Sequence, residues 1–181
     1  SVLSQEYQDW EMILVDDGSK DSSGLLCDAL AAQDPRIKVF HTQNRGVTAA
    51  RKFGADMTSG DWIYFVDADD AMATHSMEIM LEAGSDCDIV IGNKQIVSKE
   101  SVVDEIMNVK NEYLNASEFL SGLILNNISQ YITGRMFRKE LFKDDTIDIP
   151  AELIMAEDFI MNVQLGNKAK KVALIKDVVY K

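Results

Sequence analysis

"EMILVDDGS", residues 11–19, is an apolar run from Met12 to Val15 that stops at Asp16-Asp17-Gly18-Ser19. Four apolar residues ended by turn formers read as a buried strand, and the turn hands the chain to a helix. Asp21, Ser22 or Ser23 can cap that helix; Leu25, Leu26, Ala29 and Leu30 recur at helical spacing until Asp34-Pro35 stops it. The unit then repeats. "RIKVFH" is a short strand with Ile37, Val39 and His41 on one face, "TQNRG" a polar loop, and "VTAARKFGADMTSG" an amphipathic helix closed by Gly60. "DWIYFV" is a third strand, "HSMEIMLEAG" a helix and "CDIVIG" a fourth strand. Strands alternating with helices predict an α/β fold, a mostly parallel central sheet flanked by helices on both faces.

Beyond Gly92 the rhythm weakens. "NKQIVSKESVVDEIMN" reads as a ribbon or loop, and "NASEFLSGLILNN" as a helix capped by Asn115 or Ser117. "ITGRMFRKELF" reads as a strand entering a short helix, "DDTIDIP" as a loop, "AEDFIMNVQLGNKA" as a helix and "KKVALIKDVVYK" as a last strand. Nothing repeats internally, so residues 1–181 are expected to form one domain.

Composition narrows the partners. Thirty acidic residues against eighteen basic ones give a net charge of −12, which disfavours nucleic acid and anionic lipid as partners and leaves room for a local basic pocket. Cys27 and Cys87 lack metal-ligand spacing and are expected as reduced, buried thiols in a cytoplasmic protein. No stretch reaches the roughly 18 apolar residues of a membrane span.

Two acidic clusters end strands, where open α/β sheets bind their ligands: Asp16 with Asp17, and Asp67, Asp69 and Asp70 within four residues. A calcium loop fits Asp67, Asp69 and Glu78, but Ala71 and Met72 stand where it needs a ligand and a glycine. A phosphoacceptor receiver needs a lysine at another strand end, which Lys94 meets only loosely. In the third chemistry the D-x-D carboxylates hold Mg²⁺ or Mn²⁺, and the cation neutralises a nucleotide's diphosphate. His41 and His75 stand alone and suit hydrogen bonding better than ligation. Trp10, Trp62, Tyr64 and Phe65 are core candidates; Tyr131, Arg135 and Arg138 either line a substrate side or belong to an amphipathic surface.

From Ser1 to about Gly92 the chain resembles the family 2 glycosyltransferases of the Rossmann-like GT-A type. "SVLSQEYQDWEMILVDDGSKDSS", "RIKVFHTQNRGVTAARKFGADMTSGDWIYFVDADD" and "CDIV" carry the resemblance, in order and spacing. It implies a nucleotide-sugar-binding half over 1–92 and an acceptor-side half over 93–181. It implies that Asp17, with Asp16 beside it, meets the uracil of a UDP-sugar donor. It assigns Asp69 as the metal ligand, and Asp67 to the same metal and to the donor's ribose or sugar. The loop before "AAR" supplies Asn44 and Gly46, and Arg51 reaches the nucleotide end; Lys52 departs from the family's usual Asn. "AEDF" supplies the catalytic carboxylate, Asp158, with Glu157 beside it.

The implied activity is metal-dependent inverting transfer of a hexose or N-acetylhexosamine from a UDP-sugar to a hydroxyl of a polysaccharide or glycolipid. A non-catalytic nucleotide-sugar-binding module is the alternative, and a receiver-like switch is third. The family's opening strand, of the type V-S-V-I-I-P-x-Y-N, does not precede Ser1, so the chain is read as truncated at its N-terminus; it also stops early at "VVYK". Peripheral membrane association, if regions outside the chain supply it, places the domain at the inner face of the membrane.

Overall fold

The computed structural model describes residues 1–143, 147, 149–150, 153 and 155–181. The elements run β1 (Met12–Asp16), α1 (Ser23–Ala31), β2 (Ile37–His41), α2 (Val47–Met57), β3 (Trp62–Tyr64), α3 (Ser76–Ala83), β4 (Ile89–Val97), β5 (Val102–Glu105), β6 (Tyr113–Leu114), α4 (Ala116–Ile124), β7 (Arg135–Arg138), a 3-10 turn (Lys139–Phe142), α5 (Glu157–Lys168) and β8 (Val172–Tyr180). The expected loop "DDTIDIP" lies in large part outside the described residues.

β1 and β2 pair in parallel, Met12 opposite Ile37 and Asp16 opposite His41, which sets both strand-end turns side by side. The remaining strands form a sheet ordered β3-β7-β4-β8-β6, with β5 paired to β4. β3, β4 and β8 run in one direction, because β7 is antiparallel to both β3 and β4 while β4 and β8 are parallel. The principal strands are therefore parallel, as the alternation of strand and helix predicts. The antiparallel β7, β5 and β6 are the departures, and all come from the weakly patterned second half.

Side chains alternate across this sheet with period two, and both faces are covered. Ile89, Ile91, Phe137 and Val172 pack on one face with Phe119 and Leu123 of α4 and Met161 and Leu165 of α5. Val90, Met136 and Ala173 point the other way and pack with Met80 of α3 and Tyr180. Asn115 and Glu118 close a reciprocal capping box that starts α4, as the spacing predicts.

Four expectations change. α2 ends at Met57, three residues before Gly60, where the Thr58 hydroxyl and amide both turn back to the Ala55 carbonyl. Leu25, Leu26 and Leu30 of α1, which recur at helical spacing, are exposed and form no buried face. Cys27 is half-buried, whereas Cys87 is buried. β4 continues past Gly92 into a hairpin with β5 and crosses the expected division at residues 92 and 93. Gly92 makes this continuation fit: a Cβ there would come within 2.5 Å of Val179 on the neighbouring strand, where the β4–β8 register shifts.

Candidate functional site

The turn after β1 is bound to the loop after β2. Asp17 Oδ1 accepts from the Thr42 hydroxyl at 3.0 Å and the Arg45 amide at 3.0 Å, and Oδ2 accepts from the Gly46 amide at 2.8 Å. A carboxylate has about four acceptor positions, so this loop occupies much of Asp17's capacity. Asp16 makes a separate set of contacts: Oδ1 takes the Ser19 amide at 2.9 Å and Oδ2 meets His41 Nδ1 at 2.9 Å. His41 Nε2 lies 3.0 Å from Asp28. Hydrogen bonds from Ser19 and then His41 hold Asp16 down at about 2, and the two aspartates raise His41 above its usual range. Both histidines are thus hydrogen-bonded or ion-paired; His75 faces Glu6 at 3.5 Å and Glu78 at 3.7 Å.

Asn44 sits in the loop that Asp17 binds, and Gly46 caps α2. From that cap α2 carries Arg51 to the other strand end. Arg51 Nη2 donates to Asp67 Oδ1 at 2.9 Å, and Nη1 donates to Asp158 Oδ1 at 2.5 Å. The Arg51 side chain is only 11 % exposed. Burial opposes its charge, but the carboxylates of Asp158 and Asp67 outweigh it and hold its pKa above the ordinary guanidinium value.

The turn after β3 is closed by the Asp70 amide on the Asp67 carbonyl at 3.1 Å, and the Asp67 amide donates to the Tyr180 hydroxyl at 3.0 Å. Burial, with Asp67 and Asp70 nearby, keeps that hydroxyl protonated. Asp67 stays partly open and Asp69 projects into solvent. Among the described residues, the group of three or more potential ligands drawn within 4.8 Å of one another is Glu6, His75 and Glu78, away from this turn. The turn itself offers hard carboxylate oxygens, from Asp67 and Asp69 with Asp70 beside them. That donor set fits Mg²⁺ or Mn²⁺, which bind one or two protein carboxylates and complete their shells with water and substrate phosphates.

Asp158 lies in the first turn of α5. The turn is entered through Ala156, whose φ of 65° is a left-handed conformation that costs a non-glycine residue about 1 kcal/mol. Asp158 Oδ2 accepts the Ile132 amide at 3.0 Å, and Asn162 ties the Gln130 carbonyl to the Asp158 carbonyl at 2.9 Å each. The segment 130–132 is thereby fixed against the start of α5. Among the described residues each Asp158 oxygen accepts one hydrogen bond, and the side chain is 16 % exposed. Glu157 sits beside it, half-buried.

Asp67 and Asp158 therefore meet on one guanidinium, and Asp17 binds the N-terminus of the helix that supplies it. Thr42, Ile132 and Tyr180 belong to the arrangement without any mark in the sequence. Two of them contribute through a backbone amide or a remote hydroxyl, which carry no residue pattern. Arg138 stacks on Trp62 at 4.1 Å and donates to the Cys87 carbonyl, so it serves packing.

A family model described as glycosyl transferase family 2 matches residues 1–146. Glycosyltransferase GlyG of Streptococcus pneumoniae serotype 4 is 33% identical over 165 residues, covering 79% of this chain and 52% of GlyG. EpsJ of Bacillus subtilis, described as an uncharacterized glycosyltransferase, is 28% identical over 187 residues, covering 99% of this chain and 54% of EpsJ. Crystal structures of S. aureus TarS 1–349 with UDP and with UDP-GlcNAc share the fold at TM-scores of 0.80 and 0.81. Both are 19% identical and cover 99% of this chain, and 53% and 51% of theirs. The chain spans about half the length of the curated relatives it matches. No helix among the described residues is long and apolar enough to cross a membrane.

Proposed function

Since the chain belongs to glycosyl transferase family 2, we propose that it is the donor-binding and catalytic part of a metal-dependent inverting enzyme. It moves a hexose or N-acetylhexosamine from a UDP-sugar to a hydroxyl of a polysaccharide or glycolipid. The observation that carries this reading is the single guanidinium shared by Asp67 and Asp158. Two hydrogen bonds and the width of a guanidinium put the donor-side and acceptor-side carboxylates no more than about 8 Å apart, close enough for one bound sugar to lie against both. The TarS structures with UDP and UDP-GlcNAc support a uridine donor on the same fold.

In this reading the uracil end lies at Asp17 and the loop of Asn44 and Gly46, with Asp16 behind it. Asp67 and Asp69 receive the sugar-diphosphate end. A divalent cation on Asp69 and Asp67, when bound, supplies positive charge against which the diphosphate departs. Asp158 accepts the proton of the acceptor hydroxyl on a lone pair that neither Arg51 nor Ile132 uses. The hydroxyl oxygen bonds to the anomeric carbon from the face opposite the diphosphate as the old bond to phosphate oxygen breaks, so configuration inverts. Glu157 stands in the same helical turn and adds negative charge to the acceptor side. A nucleotide-sugar donor places the domain in the cytoplasm, where such donors are made.

Transfer or hydrolysis of UDP-sugars by the parent and by Asp158→Asn tests the proposal. The amide is close to isosteric but cannot take the proton, so turnover should fall about a thousandfold while UDP binding persists. Equal turnover in the two proteins removes Asp158 from the mechanism. UDP binding without turnover in either assigns the chain to a binding module.

A further inference from the structure

Arg135 is fully buried, and its guanidinium is the largest side chain sealed in the described core. Five N–H donors and a permanent charge make that burial costly unless acceptors or counter-charge are present. Nη2 donates to the Ser129 carbonyl, whereas Nε and Nη1 have no partner among the described residues. The Phe119 ring lies 5.8 Å from the guanidinium carbon and offers a face but no acceptor. Burial pushes Arg135 down to about 9, against the pull of Asp158 and Glu105, so it stays charged at neutral pH.

A second unpartnered group lies on the same cavity. Ser129 Oγ is buried without a hydrogen bond, and Ser129 and Arg135 both line a space of about 230 Å³ that Lys94, Thr133 and Glu105 also border. Lys94 is 8 % exposed, its ammonium 3.7 Å from Glu105 and 4.4 Å from the Tyr131 ring. Its stem lies over Gly134, where a Cβ would come within 3.0 Å. Lys94 and Arg135 share this region with the carboxylates of Glu105 and Asp158, and two sets of hydrogen-bond donors have no acceptor among the described residues. The wall that carries Ser129 and Thr133 also carries Ile132, whose amide holds Asp158. The cavity is thus on the acceptor side, next to the proposed base.

We propose that this cavity is an oxyanion subsite that takes the carboxylate or phosphate of an acidic acceptor and thereby presents the acceptor's neighbouring hydroxyl to Asp158. The word acceptor rests on the glycosyl-transfer reading; anion binding does not. Lys94 supplies charge, and Ser129 and Arg135 supply donors, to a group whose oxygens accept several hydrogen bonds at once. Charge-assisted bonds of this kind are about twice as strong as neutral ones. A neutral sugar offers fewer and weaker acceptors to the unpartnered donors of Arg135 and Ser129, so the site discriminates for acidic acceptors.

Calorimetric titration of inorganic phosphate into the full chain, with EDTA present so that no cation bridges phosphate to Asp67 and Asp69, tests the anion site independently of transfer. The expected result is one saturable site, weakened about tenfold by Lys94→Met and several-fold by Ser129→Ala. Thermal melts of both variants check that the fold persists. Glucuronate and glucose 6-phosphate are then offered as competitors, with glucose as the neutral control. Displacement by glucuronate assigns a carboxylate, displacement by glucose 6-phosphate assigns a phosphate, and glucose should not compete. No phosphate binding, or binding indifferent to both substitutions, overturns the subsite. Phosphate that neither acidic sugar displaces, or that glucose displaces equally, overturns the acceptor assignment. UDP binding by the unmodified chain in Mn²⁺ reports separately on the transferase reading, so the two can fail independently.

Discussion

The Arg51 guanidinium meets the Asp158 carboxylate at 2.5 Å although 107 residues separate them in the chain. Its other arm holds Asp67, so one side chain of α2 sets the spacing between the strand end that faces the donor and the helix start that faces the acceptor. Arg51→Ala leaves two carboxylates facing each other without a cation. The Asp158 arm is well buried and the Asp67 arm 43 % exposed, so only the first is expected to carry a large term. Denaturant unfolding should show a loss of about 3 kcal/mol at unchanged m-value. Arg51→Lys keeps the charge but one ammonium cannot span both carboxylates, and should recover part of that loss and little of the transfer rate.

Asp17 serves the loop before it serves any ligand, since Thr42, Arg45 and Gly46 all donate to it. Asp17→Ala strands these donors and should cost about 2 kcal/mol in the unfolding midpoint. Asp17→Asn keeps one carbonyl acceptor and should cost less. If both variants unfold like the parent, the loop does not depend on this carboxylate.

Stability should fall as pH rises above 6.5 through loss of the His41 charge. Hydrogen bonds with Asp16 and then Asp28 raise the folded value of His41, so its contribution is complete below the unfolded value of 6.5 and is lost as pH passes the folded one. Asp16 has the opposite sense: its contribution is present above 3.8 and disappears as pH falls toward about 2. Unfolding midpoints against pH for the parent and His41→Gln check this. The downward slope above pH 6.5 should flatten in the variant; an unchanged slope places the titrating group elsewhere.

The first half of the fold was legible because each element states its own type locally. β1 is an apolar run closed by Asp-Asp-Gly-Ser, and β2, α3 and β4 begin within a residue or two of where pattern and turn residues put them. α4 and α5 were legible for the same reason, through the Asn115–Glu118 box and the Glu157-Asp158 start. The insertion of β7 between β3 and β4 was not, because antiparallel pairing across such separations is decided by tertiary contacts and leaves no local mark. Arg135 shows the limit most clearly. "RMFRKELF" leaves it open between the acceptor side and an amphipathic surface, and strand alternation puts it on the face of Phe137, buried beside the core. The site was legible as a set of residue types at strand and helix ends. The amide of Ile132, the hydroxyl of Tyr180 and the loop that occupies Asp17 were not, since each acts through contacts that only folding creates.

The proposed transfer depends on a nucleoside diphosphate held by a divalent cation on the aspartates after β3. Calorimetric titration of UDP into the chain, with Mn²⁺ and with EDTA, and again in Asp69→Asn, measures that directly. UDP binding that requires Mn²⁺ and weakens at least about tenfold in Asp69→Asn is the predicted result. UDP binding of equal strength with and without the cation, or no UDP binding at all, would contradict it.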